Sequence, residues 1–367
     1  MSAEFDIAPI ETWVDDFEKP LIISGPCSAE TEEQLLETCR QLKKIGINIM
    51  RAGVWKPRTR PNNFEGIGKD ALIWISEVKK ALDVKFSIEV GNPQHVELAL
   101  KYGIDILWIG ARSTVNPFTV QEIADSLKGV DVPVLVKNPI NPDLALWMGA
   151  IERINNAGIT KLGAIHRGFS SLQESKYRNI PSWRIPIDLK SKIPDLPIIC
   201  DPSHICGNRD MIAEVSQKAL DLNYDGLMIE SHRDPDNAWS DAKQQVTPAS
   251  LKSIISGLKL RSKDSNNESF KIFLEEMREQ IDNADHDIID AIARRMNLVE
   301  KIGEFKKDNN VTIFQVDRWN EIYRTRADWA QAQNMDREFV EEMYKLIHIA
   351  SIKRQTELLS KPAAKAE

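Results

Sequence analysis

"LIISGPCSAETEEQLLETCRQLKKIG", residues 21–46, reads as one strand–helix unit. Its apolar, β-branched start stops at Gly25-Pro26. The helix-like remainder closes on Gly46, as helix C-termini often do. Seven further runs repeat that opening: "NIMRAGVWK" (48–56), "KFSIEV" (85–90), "ILWIGAR" (106–112), "VPVLVKN" (132–138), "LGAIHRG" (162–168), "LPIICDPSH" (196–204) and "GLMIESH" (226–232). Near-continuous hydrophobicity suits parallel strands buried on both faces. Helical stretches such as "PQHVELALKYG" and "RDMIAEVSQKAL" lie between them. Strand and helix alternating eight times over about 255 residues predicts an α/β protein, a (β/α)8 TIM barrel. A doubly wound open sheet is the competing layout, and eight units of this size favour the barrel.

The chain's 367 residues exceed what one core usually supports, so two domains are expected. A net charge of −7 argues against nucleic acid or an anionic membrane as the main partner. The start shows no basic stretch followed by an apolar one, and no apolar run approaches ~18 residues. Four cysteines are too sparse for a disulfide framework, so free thiols in a reducing cytoplasm are expected.

The barrel domain is assigned residues 1–260, and polar "RSKDSNNES" (261–269) reads as a linker. Residues 270–367 form an all-α domain of three helices, near 268–307, 315–333 and 336–358. The first would be about 60 Å long. Two shorter helices cannot cover it alone, so pairing with a second copy, a homodimer, is expected.

In a barrel, chemistry gathers at the C-terminal strand ends. Two constellations stand there. Cys27, His204, Glu230 and Asp241 offer one sulfur, one imidazole and two carboxylates. That mixture suits a divalent metal ion of the Mn, Fe, Co or Zn class. Arg51, Lys56, Arg58, Arg112, Lys137 and Arg167 form a cationic set. Such a set calls for small substrates carrying phosphate and carboxylate. Cys39 and Cys200 read as packing; Cys206, His232 and Glu89 receive no role.

The motifs "GPCS", "RAGVWKPRT", "IGAR", "VLVKNP", "DPSH", "MIESH" and "SDAKQQ" resemble those of the 3-deoxy-D-arabino-heptulosonate 7-phosphate (DAHP) synthases over roughly residues 20–258. The resemblance implies that Cys27, His204, Glu230 and Asp241 hold the metal. It implies that Arg112, Lys137 and Arg167 grip phosphoenolpyruvate, with Lys56 and Arg51 nearby. Arg58 and Thr59 would face erythrose 4-phosphate, and Lys56 and Asp241 would handle or orient protons. The implied reaction joins C3 of phosphoenolpyruvate to the aldehyde, polarised by the metal, with water adding at C2 and phosphate leaving. "KPRT" separates this family from the sister enzymes that make KDO 8-phosphate, the alternative reading. One departure is visible: "AIHRG" puts His166 where the family usually has glutamate.

In the helical domain, Arg295 and Lys306 lie eleven residues apart and share a face. Arg278 lies about 42 Å from Lys306 along a straight helix. If both serve one site, Arg278 comes from a partner chain. Ser351 and Gln355, an i, i+4 pair, face the same way. The region 270–356 resembles the all-helical (AroQ-type) chorismate mutases. That resemblance implies Arg278, Arg295, Lys306, Arg318, Ser351 and Gln355 as the residues binding chorismate, with Lys306 and Gln355 facing the ether oxygen. Gln315 and Trp319 depart from positions that are often acidic. The expectation is a bifunctional enzyme. Because the barrel begins by residue 21, feedback inhibition by chorismate or prephenate is expected to act through the helical domain. The alternative from another class is a regulatory or dimerisation module without mutase activity.

Overall fold

The computed structural model describes residues 5–56, 64–171, 174–262 and 267–360. The chain divides into two compact units, residues 1–263 and 264–367. In the first, eight strands close into a ring: β1 (Leu21–Gly25), β2 (Ile49–Arg51), β3 (Lys85–Val90), β4 (Ile106–Ile109), β5 (Val134–Lys137), β6 (Leu162–His166), β7 (Ile198–Cys200) and β8 (Gly226–Glu230). Each pairs in parallel with the next, and β8 returns to β1 with Gly25 opposite Glu230.

The strands are buried on both faces, and parity divides their side chains. Ile23, Ile49, Trp108, Leu135, Ile165, Ile199 and Met228 fill the inside of the ring. Trp13 and Val14 pack with them. The alternate residues, such as Met50, Ile88, Val136 and Ala164, pack in the other, larger core. Continuing the inward parity past each strand brings Arg51, Glu89, Lys137, Arg167, Asp201 and Glu230 to the C-terminal mouth.

Two predicted strands end earlier than the sequence suggests. The seventh stops at Cys200, because Asp201-Pro202 opens a short helix, Pro202–Cys206. Proline suits the first helical position, and Asp201 caps it by accepting from the His204 amide. His204 is therefore presented from a helical turn. The fourth strand stops at Ile109, and Arg112 lies on the turn Ala111–Thr114.

Among its described residues the second unit contains three helices, Glu268–Asp308, Val316–Ala332 and Arg337–Ser360. Asn267 caps the first by accepting from the Phe270 amide. No helix among the described residues is long and apolar enough to cross a membrane.

Candidate active sites

At the barrel mouth a network of charges is buried. The Arg51 guanidinium lies 3.2 Å from Glu230 Oε1 and donates to the Cys27 carbonyl at 3.3 Å. It also stands over the Trp108 ring, 5.1 Å from its centroid. Lys137 Nζ donates to Asp201 Oδ2 at 2.8 Å. Asp201 also holds His204 Nδ1 at 2.8 Å. That contact fixes the tautomer and leaves His204 Nε2 facing Glu230 Oε1 at 3.9 Å. Cys27 Sγ lies 3.5 Å from Asp241 Oδ2 and 3.0 Å from Lys56 Nζ.

These contacts set the charge states. Burial pushes the Cys27 thiol up to about 11; Glu230 and Asp241 push the same way, against Lys56 and Arg51. Burial also opposes ionisation of Asp241, but Arg178, His204 and Lys56 outweigh it and bring it down to about 2. Glu230 behaves likewise: burial is outweighed by Arg51, His204 and Lys56, and its carboxyl is lowered. Burial, with Arg178 and Arg112 nearby, brings Arg167 down to about 10. Asp201 and Glu89 act against that shift.

Among the described residues, no three of the candidate donors gather as a ready metal cluster. They stand as two pairs, Cys27 with Asp241 and His204 with Glu230. Their chemistry fits a divalent ion. Glu230 Oε1 is buried without a hydrogen bond. His204 offers Nε2 on a ring oriented by Asp201, and the two carboxylates are held ionised by neighbouring cations.

Arg112 is exposed, and its charge is felt at Arg167. Arg58 and Thr59 lie outside the described residues. His166, the departure from the family pattern, does not enter the site: Ile165 points inward, so His166 points outward. Its Nε2 meets the Pro181 carbonyl at 2.7 Å and its Nδ1 the Tyr224 hydroxyl at 3.0 Å. Burial lowers it to about 4, so it is a neutral packing residue.

Sequence reasoning missed Asp201, Gln244, Gln245, Arg178 and Asn179. Gln245 accepts from the Cys27 amide at 2.8 Å, and Gln244 donates to Glu230 Oε2 at 2.7 Å. Both glutamines sit in "SDAKQQ", and Asp201 opens "DPSH". In each motif the metal-ligand type drew the assignment and its polar neighbour was passed over.

The helical unit holds a cavity of about 560 Å³, a size suited to a small organic ligand. Arg295, Lys306, Arg318, Ser351 and Gln355 all line it, and no carboxylate does. Arg295 Nη1 donates to Ser351 Oγ at 2.7 Å, and Gln355 Nε2 to the Val299 carbonyl at 3.2 Å. Lys306 Nζ donates to the Ile313 carbonyl at 2.6 Å. Burial lowers Arg295 and Lys306, and Arg326 and Arg318 add to the effect on Arg295. Arg278 does not line this cavity; it pairs with Glu275 one turn away. Gln315 is at the wall, while Trp319 stacks on His348 with ring centroids 4.2 Å apart. Arg326, Tyr344 and His348 also line the cavity and were not read from the sequence.

An eight-stranded barrel with a buried ionic mouth and, in the same chain, an all-helical unit with a cationic cavity define a two-centre enzyme acting on small anions. Residues 14–264 match the model of the DAHP synthetase I family, and residues 277–356 match that of chorismate mutase type II. The chain belongs to the DAHP synthetase I family and carries a chorismate mutase domain. It is 32% identical over 238 residues to the phospho-2-dehydro-3-deoxyheptonate aldolase of Thermotoga maritima, covering 65% of this chain and 68% of that relative. It is 23% identical over 271 residues to a 2-dehydro-3-deoxyphosphooctonate aldolase of Caulobacter vibrioides, covering 68% of this chain and 90% of the relative. Among solved structures, the Thermotoga maritima DAHP synthase superposes with a TM-score of 0.59 at 30% identity, covering 64% of this chain and 67% of that one. A truncated form of the Thermotoga maritima synthase gives 0.56 at 28% identity, covering 64% and 84%.

Proposed function

We propose that the barrel condenses phosphoenolpyruvate with erythrose 4-phosphate to give DAHP and phosphate, and that the helical unit rearranges chorismate to prephenate. The observation carrying the first half is the buried mouth, where Arg51 pairs with Glu230, and Lys137 with the Asp201 that orients His204, close to donors of mixed type. Cys27, His204, Glu230 and Asp241 would hold a divalent ion, whose chemistry when bound is to polarise the aldehyde oxygen. Lys137 and Arg167, with Arg112 at the rim, bind and orient phosphoenolpyruvate. Arg51 neutralises Glu230. Lys56, beside Cys27, is placed to hold a proton near the reacting carbons. Cys27 serves as a ligand and forms no covalent intermediate. Holding two anions together against their repulsion is the main task of these cations.

The mutase reaction needs no nucleophile. Arg295 and Arg318 hold the substrate carboxylates in the compact conformer, and Lys306 and Gln355 face the ether oxygen as negative charge develops there. A homodimer completes this site by bringing in Arg278 of a second copy. Its support is the face Phe270, Leu274, Met277, Ile281, Ala284 and Ile288 on the first helix, spaced alternately four and three apart as in a coiled-coil seam. Ile281 and Ile288 on that face are exposed. We further propose that chorismate or prephenate bound in the helical cavity inhibits the barrel reaction, and that the enzyme works in the cytoplasm.

One assay set tests these readings. Phosphate release is measured with phosphoenolpyruvate and either erythrose 4-phosphate or arabinose 5-phosphate, before and after chelation and with added prephenate. The four-carbon acceptor is expected to be preferred, chelation to abolish the synthase and spare the mutase, and prephenate to inhibit. Preference for the five-carbon acceptor would make the barrel a KDO 8-phosphate synthase. Full synthase activity after verified metal removal would remove the metal role.

A further inference from the structure

The loop after β6 carries a dipeptide, Arg178-Asn179, to which sequence reasoning gave no role. It touches both halves of the barrel site. Arg178 Nη1 donates to Asp241 Oδ1 at 3.2 Å and to Gln244 Oε1 at 2.6 Å. Gln244 in turn donates through Nε2 to Glu230 Oε2 at 2.7 Å. One guanidinium thus steers two of the four candidate ligands, one directly and one through an amide.

Asn179 works on the other side. Its Nδ2 donates to the His204 carbonyl at 2.6 Å, and its Oδ1 accepts from Arg167 Nη1 at 2.7 Å. The amide does both because it carries a donor on Nδ2 and an acceptor on Oδ1; a carboxylate in its place would lack the donor. The dipeptide is itself fixed to the helix that presents His204. The Arg178 and Asn179 amides donate to the carbonyls of Cys206 and Ile205 at 3.3 and 3.1 Å. Gly207 leaves room for the arginine stem: a Cβ there would come within 2.4 Å of Arg178 Cβ.

We propose that Arg178-Asn179 is a positioning clasp that sets His204, Glu230 and Asp241 in register with the anion-binding Arg167. The proposal rests on the metal reading given above. Arg178 acts on ligand placement, and Asn179 couples that placement to the grip on phosphoenolpyruvate. Outer partners of this kind change metal affinity by about 10- to 100-fold when removed.

The experiment uses the full chain, stripped by chelation and titrated with Co²⁺ while its visible absorption is followed. Arg178→Met should weaken Co²⁺ binding at least tenfold, and Arg178→Lys should recover part of the loss. Asn179→Asp should raise KM for phosphoenolpyruvate more than it lowers kcat. Mutase activity and the melting temperature of the apo chain report whether each variant is folded. If the parent binds Co²⁺ and folded Arg178→Met binds it equally well, the clasp is overturned and the metal reading stands. If the parent itself takes up no Co²⁺, the metal reading fails and the clasp with it.

Discussion

Asp201 joins two partners at the barrel mouth, Lys137 and His204. Burial opposes its ionisation, yet His204, Lys137 and Arg51 hold its carboxyl well below the usual range. Asp201→Asn would leave the buried Lys137 ammonium without its counter-charge. A broken buried pair costs about 3–5 kcal/mol. The expected result is a clear drop in the denaturant midpoint and a synthase loss larger than tenfold. His166 makes a different prediction. Its folded-state value of about 4 lies below the ordinary 6.5. The unfolded chain therefore takes up this proton first as pH falls. Stability from this residue is complete above about pH 6.5 and declines toward pH 4. Denaturant titrations across that window should show the decline, and His166→Phe should flatten it.

At the scale of elements, the β1–β2 junction depends on Gly25. It sits at φ +153°, where a Cβ would lie 2.0 Å from the Arg51 carbonyl oxygen. The strand end carrying Arg51 thus lies directly against the turn that leads to Cys27. Gly25→Ala should cost about 2 kcal/mol or more in thermal unfolding. It should also lower synthase activity, because Arg51 and Cys27 move apart. The same scale explains an element that the sequence obscured. "LPIICDPSH" reads as one apolar strand running into His204, but Asp201-Pro202 caps a new helical turn. Strand hydrophobicity marks where a buried segment begins more reliably than where it ends.

At the scale of the whole molecule, the first helix carries more apolar surface than its own unit covers. Phe270, Ile281 and Ile288 are exposed. If the proposed dimer forms through this face, Ile281→Asp with Ile288→Asp converts it to monomer in sedimentation. It should also cut mutase kcat/KM by more than tenfold, because the proposed site would lose Arg278 of the second copy. Unchanged association would remove the dimer proposal.

The eight strand–helix repeats and the three helices were legible because burial on two faces and helical spacing leave local marks in the chain. The residue types Cys27, His204 and Glu230 were legible because each stands at the end of a strand-like run, and Asp241 because it follows shortly in the polar stretch "SDAKQQ". On the helical side, helix spacing put Arg295 with Lys306 and Ser351 with Gln355 on shared faces, the resemblance to chorismate mutases added Arg318, and all five line one cavity. What the chain alone could not specify is which polar neighbours hold those groups. Asp201, Gln244 and the pair Arg178-Asn179 come from three separate connections, and their contacts exist only once the ring closes. His166 shows the same division: its side chain stands beside Arg167 in sequence, yet strand parity turns the two to opposite faces. Sequence thus determined the elements and the chemical inventory, because those depend on local periodicity and residue type. Closure of the barrel decided pairing, orientation and charge state, because these depend on distances between segments far apart along the chain.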